Sequence, residues 1–213
     1  MNLSPRLKEL LLQALEHERG GVLIYQTALD CARNEELREE WAHYLEQTRR
    51  HVNVLTTACT ALGFDPGEMT PGCQVVQHTG KSLVAAMKMA LAANDGPAAE
   101  LVACDCVVLA ETKDHANWEL IGQCAKELEG ETARVLQQAY DSVEDEEDEH
   151  LYHTQGWCRE LWLEALGLEA MLPPPEEKQH VQSMAQAAKV RKARGKGGKG
   201  NTQPPDATAR GMP

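Results

Sequence analysis

Aromatic residues are scarce in this chain. They fill 4% of 213 positions, and Phe64 is the single phenylalanine. A core so poor in rings and so rich in Ala and Leu suits helix packing better than a β-sandwich. Long apolar runs are also missing: nothing approaches the roughly 18 continuous apolar residues that read as a membrane span. The N-terminal MNLSPRLKELL is amphipathic from its start and lacks the apolar region and cleavage site of a signal peptide. These absences predict a cytoplasmic protein. The seven cysteines fit that compartment, because their number is odd and Cys31, Cys59, Cys104, Cys124 and Cys158 fall inside helical patterns rather than in a spaced disulfide framework. Cys104 and Cys106 are two apart, so they point to different sides of a helix and do not make a shared metal site.

Positive charge is in short supply, and what there is lies at one end. The formal net charge is −12. Residues 181–213 hold Lys189, Arg191, Lys192, Arg194, Lys196, Lys199 and Arg210 against Asp206, which leaves the rest of the chain with 14 basic and 32 acidic residues. Such an acidic body attracts cations and repels nucleic acid. The tail has no aromatic residue to stack on a base, so no specific nucleic-acid partner is expected.

With 42% hydrophobic residues the chain has enough apolar content for one sizeable core. Four long stretches carry an apolar seam stepping by threes and fours, the signature of a helix with one buried face. They are Leu11, Leu15, Glu18, Val22, Tyr25, Leu29; Leu37, Trp41, Tyr44, Thr48, His51, Leu55, Ala58, Leu62; Cys104, Val107, Glu111, Asp114, Trp118, Ile121, Ala125, Leu128; and Leu136, Tyr140, Val143, Glu147, His150, Thr154, Trp157, Leu161. Helix one is predicted from Ser4-Pro5 to about residue 32, helix two over 35–62 with a stop at Gly63, helix three over 98–128, and helix four from 131 towards 166. A shorter crossover helix is predicted over 81–93, bounded by Gly80 and Asn94-Asp95-Gly96. Short loop, long crossover, short loop is the ferritin-like arrangement of a four-helix bundle. The predicted domains are that bundle over 1–170, a Pro-rich linker with a short helix over 171–188, and a disordered basic tail over 189–213.

Each seam is interrupted at mid-helix by metal-ligand side chains. An ionised carboxylate in a core position costs several kcal/mol unless it is paired or bound to a cation. Glu147 and His150 form an E-x-x-H pair, three apart on one helix face, and Glu111 is the bridging-type carboxylate that accompanies such a pair. Glu18 and His51 make the mirror half, where Thr48 stands in place of a second E-x-x-H glutamate and Asp114 restores the count. The candidate metal ligands are therefore Glu18, His51, Glu111, Asp114, Glu147 and His150. Oxygen donors with two imidazoles suit two Fe or Mn ions, and the absence of thiolate argues against structural zinc. The competing interpretation is a set of paired polar residues in a wet bundle core, in a metal-free structural or interaction protein. Glu144, one turn before Glu147, is a further candidate near the site, and the other acids of the run Glu144 to Glu149 are expected on a solvated face. His43, His115 and His153 lie off the seams. Gly80-Lys81-Ser82 is no phosphate loop, because Val75 occupies the position that needs glycine.

The segment ELREEWAHYLEQTRRHVNVLTTACTALG (residues 36–63) resembles the second helix of the ferritin-like bacterial stress proteins typified by YciE and YciF. LAETKDHANWELIGQCAKEL is similar to their third helix, with Glu111 and Asp114 at its two acidic positions, and Glu18 falls at the acidic position of their first helix. The resemblance spans about residues 7–152. It implies a homodimeric helical bundle with a dinuclear iron centre and a stress-related role, and hence an oxidase- or peroxidase-type di-iron or di-manganese chemistry.

Overall fold

The computed structural model describes residues 4–171. The predicted short helix beyond Pro175 and the basic tail lie outside the described residues. Six α-helices account for the described chain: α1 (Pro5–Cys31), α2 (Glu35–Ala61), α3 (Pro71–Ala92), α4 (Gly96–Glu127), α5 (Gly130–Asp141) and α6 (Glu144–Ala165). No strand occurs among the described residues.

Local signals set most of these boundaries. Ser4 caps α1 by accepting the Arg6 N–H at 3.2 Å, and Pro5 occupies the first turn, where its missing donor costs nothing. Asn34 and Asp95 cap α2 and α4 in the same way, each at 3.1 Å. At the end of α2 the chain turns through Gly63 at φ +77, and the Phe64 N–H returns to the Cys59 carbonyl at 2.9 Å. That closes the last turn in a form only glycine adopts freely. The α1–α2 turn is tied to α4, because buried Glu100 accepts the backbone N–H of Arg33 at 2.6 Å and of Asn34 at 2.7 Å.

Two boundaries differ from the sequence prediction. The crossover helix begins at Pro71, ten residues before the predicted start at 81. Thr70 caps it at 3.1 Å, and Gly80 lies inside it instead of marking its start. A side chain at Gly80 would begin 3.7 Å from the Cα of Gly20, so this glycine marks the close crossing of α3 on α1. The predicted fourth helix is two helices. It breaks at Ser142 and Val143, where the Ser142 and Val143 N–H groups bond three residues back and Val143 adopts φ −133. The apolar phase survives the break: Leu136, Val143, Glu147, His150, Thr154 and Leu161 are all buried.

Helix α1 packs on α2, α3 and α4, and α4 packs in turn on α3, α5 and α6. Two apolar clusters fill the interior. One gathers Leu11, Leu15, Leu55, Trp118, Ile121 and Leu136; the other gathers Ile24, Tyr25, Leu37, Trp41, Met87 and Val107. On each of α1, α2 and α4 the chain passes from one cluster to the other, and the residues at the crossing are polar. Those polar residues form a layer between two oily halves.

Candidate metal centre

All six predicted ligands lie in that layer. Glu18 comes from α1, His51 from α2, Glu111 and Asp114 from α4, and Glu147 and His150 from α6. None is more than 4% exposed, so all six are withdrawn from water. Ligand-type atoms of His51, Glu147 and His150 lie within 4.8 Å of one another, and so do those of Glu18, Asp114 and Glu147. Glu147 belongs to both groups. The structure thus gives the shared position to Glu147, whereas the sequence pattern gives the bridging role to Glu111. Glu111 reaches the centre from the side, its Oε2 3.6 Å from His150 Nδ1.

Both histidines are held the same way round. His51 turns Nδ1 inward, 2.9 Å from Glu147 Oε1 and 3.5 Å from Glu18 Oε1, while its Nε2 lies 2.8 Å from Glu146 Oε2. His150 turns Nδ1 towards Glu111 and Glu147, and its Nε2 lies 2.9 Å from Gln47 Oε1. An acceptor behind the outer nitrogen fixes the tautomer and leaves the inner nitrogen free to bind; metal-ligating histidines are almost always held so. Trp118 donates its indole N–H to Glu18 Oε1 at 2.8 Å and steadies that carboxylate.

The polar atoms left over call for a cation. Among the described residues, Glu18 Oε2, Glu111 Oε2, Asp114 Oδ1 and Glu147 Oε2 are buried without a hydrogen-bond partner. Each of the four predicted carboxylate ligands thus leaves an oxygen in this state. A buried polar group with no partner costs about 1–3 kcal/mol, more when charged, so such atoms seldom gather without reason. Hard oxygen and imidazole nitrogen are the donors that iron and manganese take. The residues fit the ions.

Protonation reflects the same crowding. Burial, reinforced by the charges on Glu18, Glu147 and Glu111, raises the Asp114 carboxyl well above its usual range. Burial also raises Glu147, to about 7, with Glu18 and Glu111 adding to the rise and His51 opposing it. Burial by itself would lower His51, but the adjoining Glu147 and Glu18 carboxylates outweigh it and raise the imidazole to about 11. Without metal, protons therefore occupy the inner nitrogens and carboxylates where cations would sit.

Residues beyond the six complete the surroundings. Glu146 and Asp148, expected on a solvated face, both turn inward: Glu146 backs His51, and Asp148 lies 2.7 Å from His115 Nε2. Glu144 does not approach the centre; it accepts the Tyr140 hydroxyl at 2.7 Å on the surface. Tyr25 is fully buried with its hydroxyl facing the Glu111 carboxylate, its ring 6.1 Å from that of His150. Gln47 carries no sequence signal, since a lone glutamine beside a seam resembles any surface residue. No helix among the described residues is long and apolar enough to cross a membrane. Compared with known proteins, the chain matches no protein-family model, no curated protein and no solved structure.

Proposed function

We propose that the layer between the two apolar clusters is a dinuclear centre for two iron or manganese ions in a ferritin-like bundle, and that it reacts with dioxygen or peroxide. The observation that carries this proposal is the pair of ligand groups sharing Glu147, with an unpartnered oxygen on each of the four carboxylates. The ferritin-like topology is supported by the hairpins α1–α2 and α4 with α5–α6, joined by the long α3 connection. Four carboxylates would neutralise the charge of two divalent ions, and two imidazoles would leave it unchanged. Glu147 would bridge. Glu18 and Asp114 would hold one ion, and His51, His150 and Glu111 would complete the set.

When bound, such a pair would supply redox capacity and polarise dioxygen or peroxide. The chain's own residues do the rest. Gln47 and Glu146 hold the imidazoles in the binding tautomer. Trp118 fixes the Glu18 carboxylate. The apolar clusters above and below keep water and bulky substrates away, which favours small oxidants over organic substrates. A homodimer and a stress-related role belong to the same proposal through the resemblance to the YciE and YciF type.

Elemental analysis tests it. Protein produced with iron or manganese supplied should carry about two metal ions per chain, as a dinuclear site requires. The double variant Glu147→Ala, His150→Ala should carry none. Full metal content in that variant would remove the site, and only trace metal in the wild type would leave a metal-free structural bundle as the better account.

A further inference from the structure

The proposed centre is sealed, its six ligands no more than 4% exposed. An oxidant the size of dioxygen can diffuse to such a site. A reductant of ordinary size cannot touch it, so the electrons that return the centre to its starting state must travel through side chains.

One chain of oxidisable residues leads outward from His150. The Tyr44 ring lies 4.3 Å from the His150 ring, centroid to centroid, and Tyr44 is buried. Its hydroxyl donates to Glu40 Oε1 at 2.8 Å and lies 2.9 Å from His153 Nδ1. The other oxygen of the same carboxylate, Glu40 Oε2, accepts the indole N–H of Trp157 at 2.9 Å. Trp157 is half-buried, and the His153 side chain is 54% exposed. A phenol and an indole, the two side chains most readily oxidised by one electron, thus share one carboxylate between the centre and the surface. Glu40 accepts from a hydroxyl and an indole N–H and lies 3.5 Å from His153 Nδ1. Burial by itself would raise its carboxyl, but these partners outweigh burial and hold it below the ordinary range. It therefore stands ionised beside the phenol, an acceptor for the proton that an oxidised phenol sheds.

We infer that Tyr44, Glu40 and Trp157 form a proton-coupled one-electron relay that carries electrons from a soluble one-electron reductant, of the ascorbate or reduced-flavin class, to the His150 edge of the centre. The relay's purpose rests on the proposed metal pair; its chemistry does not. Towards an oxidised metal pair, Tyr44 would give one electron and pass its phenolic proton to Glu40 Oε1. A neutral phenoxyl radical and a neutral carboxylic acid result. Trp157 then gives one electron to the phenoxyl, and the proton returns from Glu40 to the phenol oxygen. The external donor reduces the indole radical cation and is itself oxidised by one electron. Every side chain ends as it began, and one electron has moved inward. Tyr25 is set apart from this route, since it is fully buried and the carboxylate facing its hydroxyl is Glu111, itself one of the candidate ligands.

The test uses metal-free full-length protein, so it does not depend on loading. In a Trp162→Phe background, which removes an exposed competing indole (41% exposed), a photogenerated ruthenium polypyridyl oxidant is fired at the surface. Radicals are followed by transient absorption and by electron paramagnetic resonance after freezing. The expected result is an indole radical that converts to a tyrosyl radical. This is the central step of the relay run in reverse, and it shows that the two rings exchange an electron and a proton through the shared carboxylate. Tyr44→Phe should abolish the conversion, Glu40→Gln should slow it at least about tenfold by removing the proton acceptor, and Tyr152→Phe should leave it unchanged. Glu40→Gln keeps the size and an acceptor oxygen, so it preserves the fold if Tyr44→Phe does not. A tyrosyl yield undiminished in Tyr44→Phe, or a conversion as fast in Glu40→Gln as in the parent, would overturn the relay. A wild type that binds no metal would sink the proposed function and leave these radical kinetics as measured. A protein with two metals and no Tyr44 radical would overturn the relay and leave the centre.

Discussion

Replacing Glu147 by glutamine should make the metal-free protein more stable in alkali and no more stable in acid. Glutamine keeps the shape of a protonated carboxyl but cannot ionise. Burial, with Glu18 and Glu111 close by, raises the Glu147 pKa from 4.5 to about 7 in the folded chain. A raised carboxyl pKa means that the folded state holds the proton more tightly than the unfolded state. Its contribution is therefore fully present below the unfolded value and is lost as pH rises towards the folded one. Each pH unit between the unfolded and folded values is worth 1.36 kcal/mol, so the loss amounts to about 3 kcal/mol by about pH 8, and glutamine should recover it. Urea unfolding of the chelator-treated protein measures the difference through the midpoint at unchanged slope. Near pH 4.5 the two proteins should match. Added metal should reverse the order, since binding to the native state alone stabilises wild type by about 4.1 kcal/mol at a thousandfold excess over Kd, more than the variant's advantage. If the variant were less stable than wild type at both pH values without metal, Glu147 would be an ordinary salt-bridge partner of His51, and the reasoning would fail.

Two further predictions concern residues around the centre and beyond the bundle. Gln47→Leu and Glu146→Ala each remove the acceptor behind one imidazole, so metal affinity in a competition titration should fall about 10–100-fold while helix content by circular dichroism stays the same; affinity equal to wild type would show that these contacts do not orient the ligands. Deleting residues 189–213 should leave metal content, helix content and sedimentation unchanged, and a truncated protein that lost metal or changed its oligomeric state would show that the basic tail is part of the working structure.

The seams made the ligand layer legible because burial and helical phase are the same information seen twice. Every carboxylate or histidine that fell in phase with Leu11, Trp41, Val107 or Leu136 is buried in the structure. The break at Ser142 and Val143 was not legible. Neither residue is glycine or proline, and Val143 keeps the apolar phase across the break, so the pattern looks the same for one helix as for two. The start of α3 had a signal in Thr70-Pro71, a cap followed by proline, but Gly80 invites a boundary where the fold needs a close helix crossing. Glu146 and Asp148 escaped for a different reason. In a run of six acids, phase separates the one deepest residue from its neighbours, whereas a long side chain one position off the seam can still reach inward. Gln47 needed coordinates, since its role is defined by His150 across the bundle and not by anything near it in sequence.

The interruption between α5 and α6 has an electrostatic consequence. An uninterrupted helix would bury the backbone N–H groups of residues 144–147 in its own ladder, and the acids Glu144, Asp145, Glu146 and Glu147 would meet no compensating field. Ending one helix at Asp141 and starting another at Glu144 creates a new amino-terminal end, with all four acids in its first turn. Such an end carries roughly half a positive elementary charge, and each acid beside it gains about 0.3–1 kcal/mol. The chain thus supplies a fixed, metal-independent counter-charge on the side of the bundle where carboxylates are densest, so the backbone itself offsets part of their mutual repulsion before any cation binds.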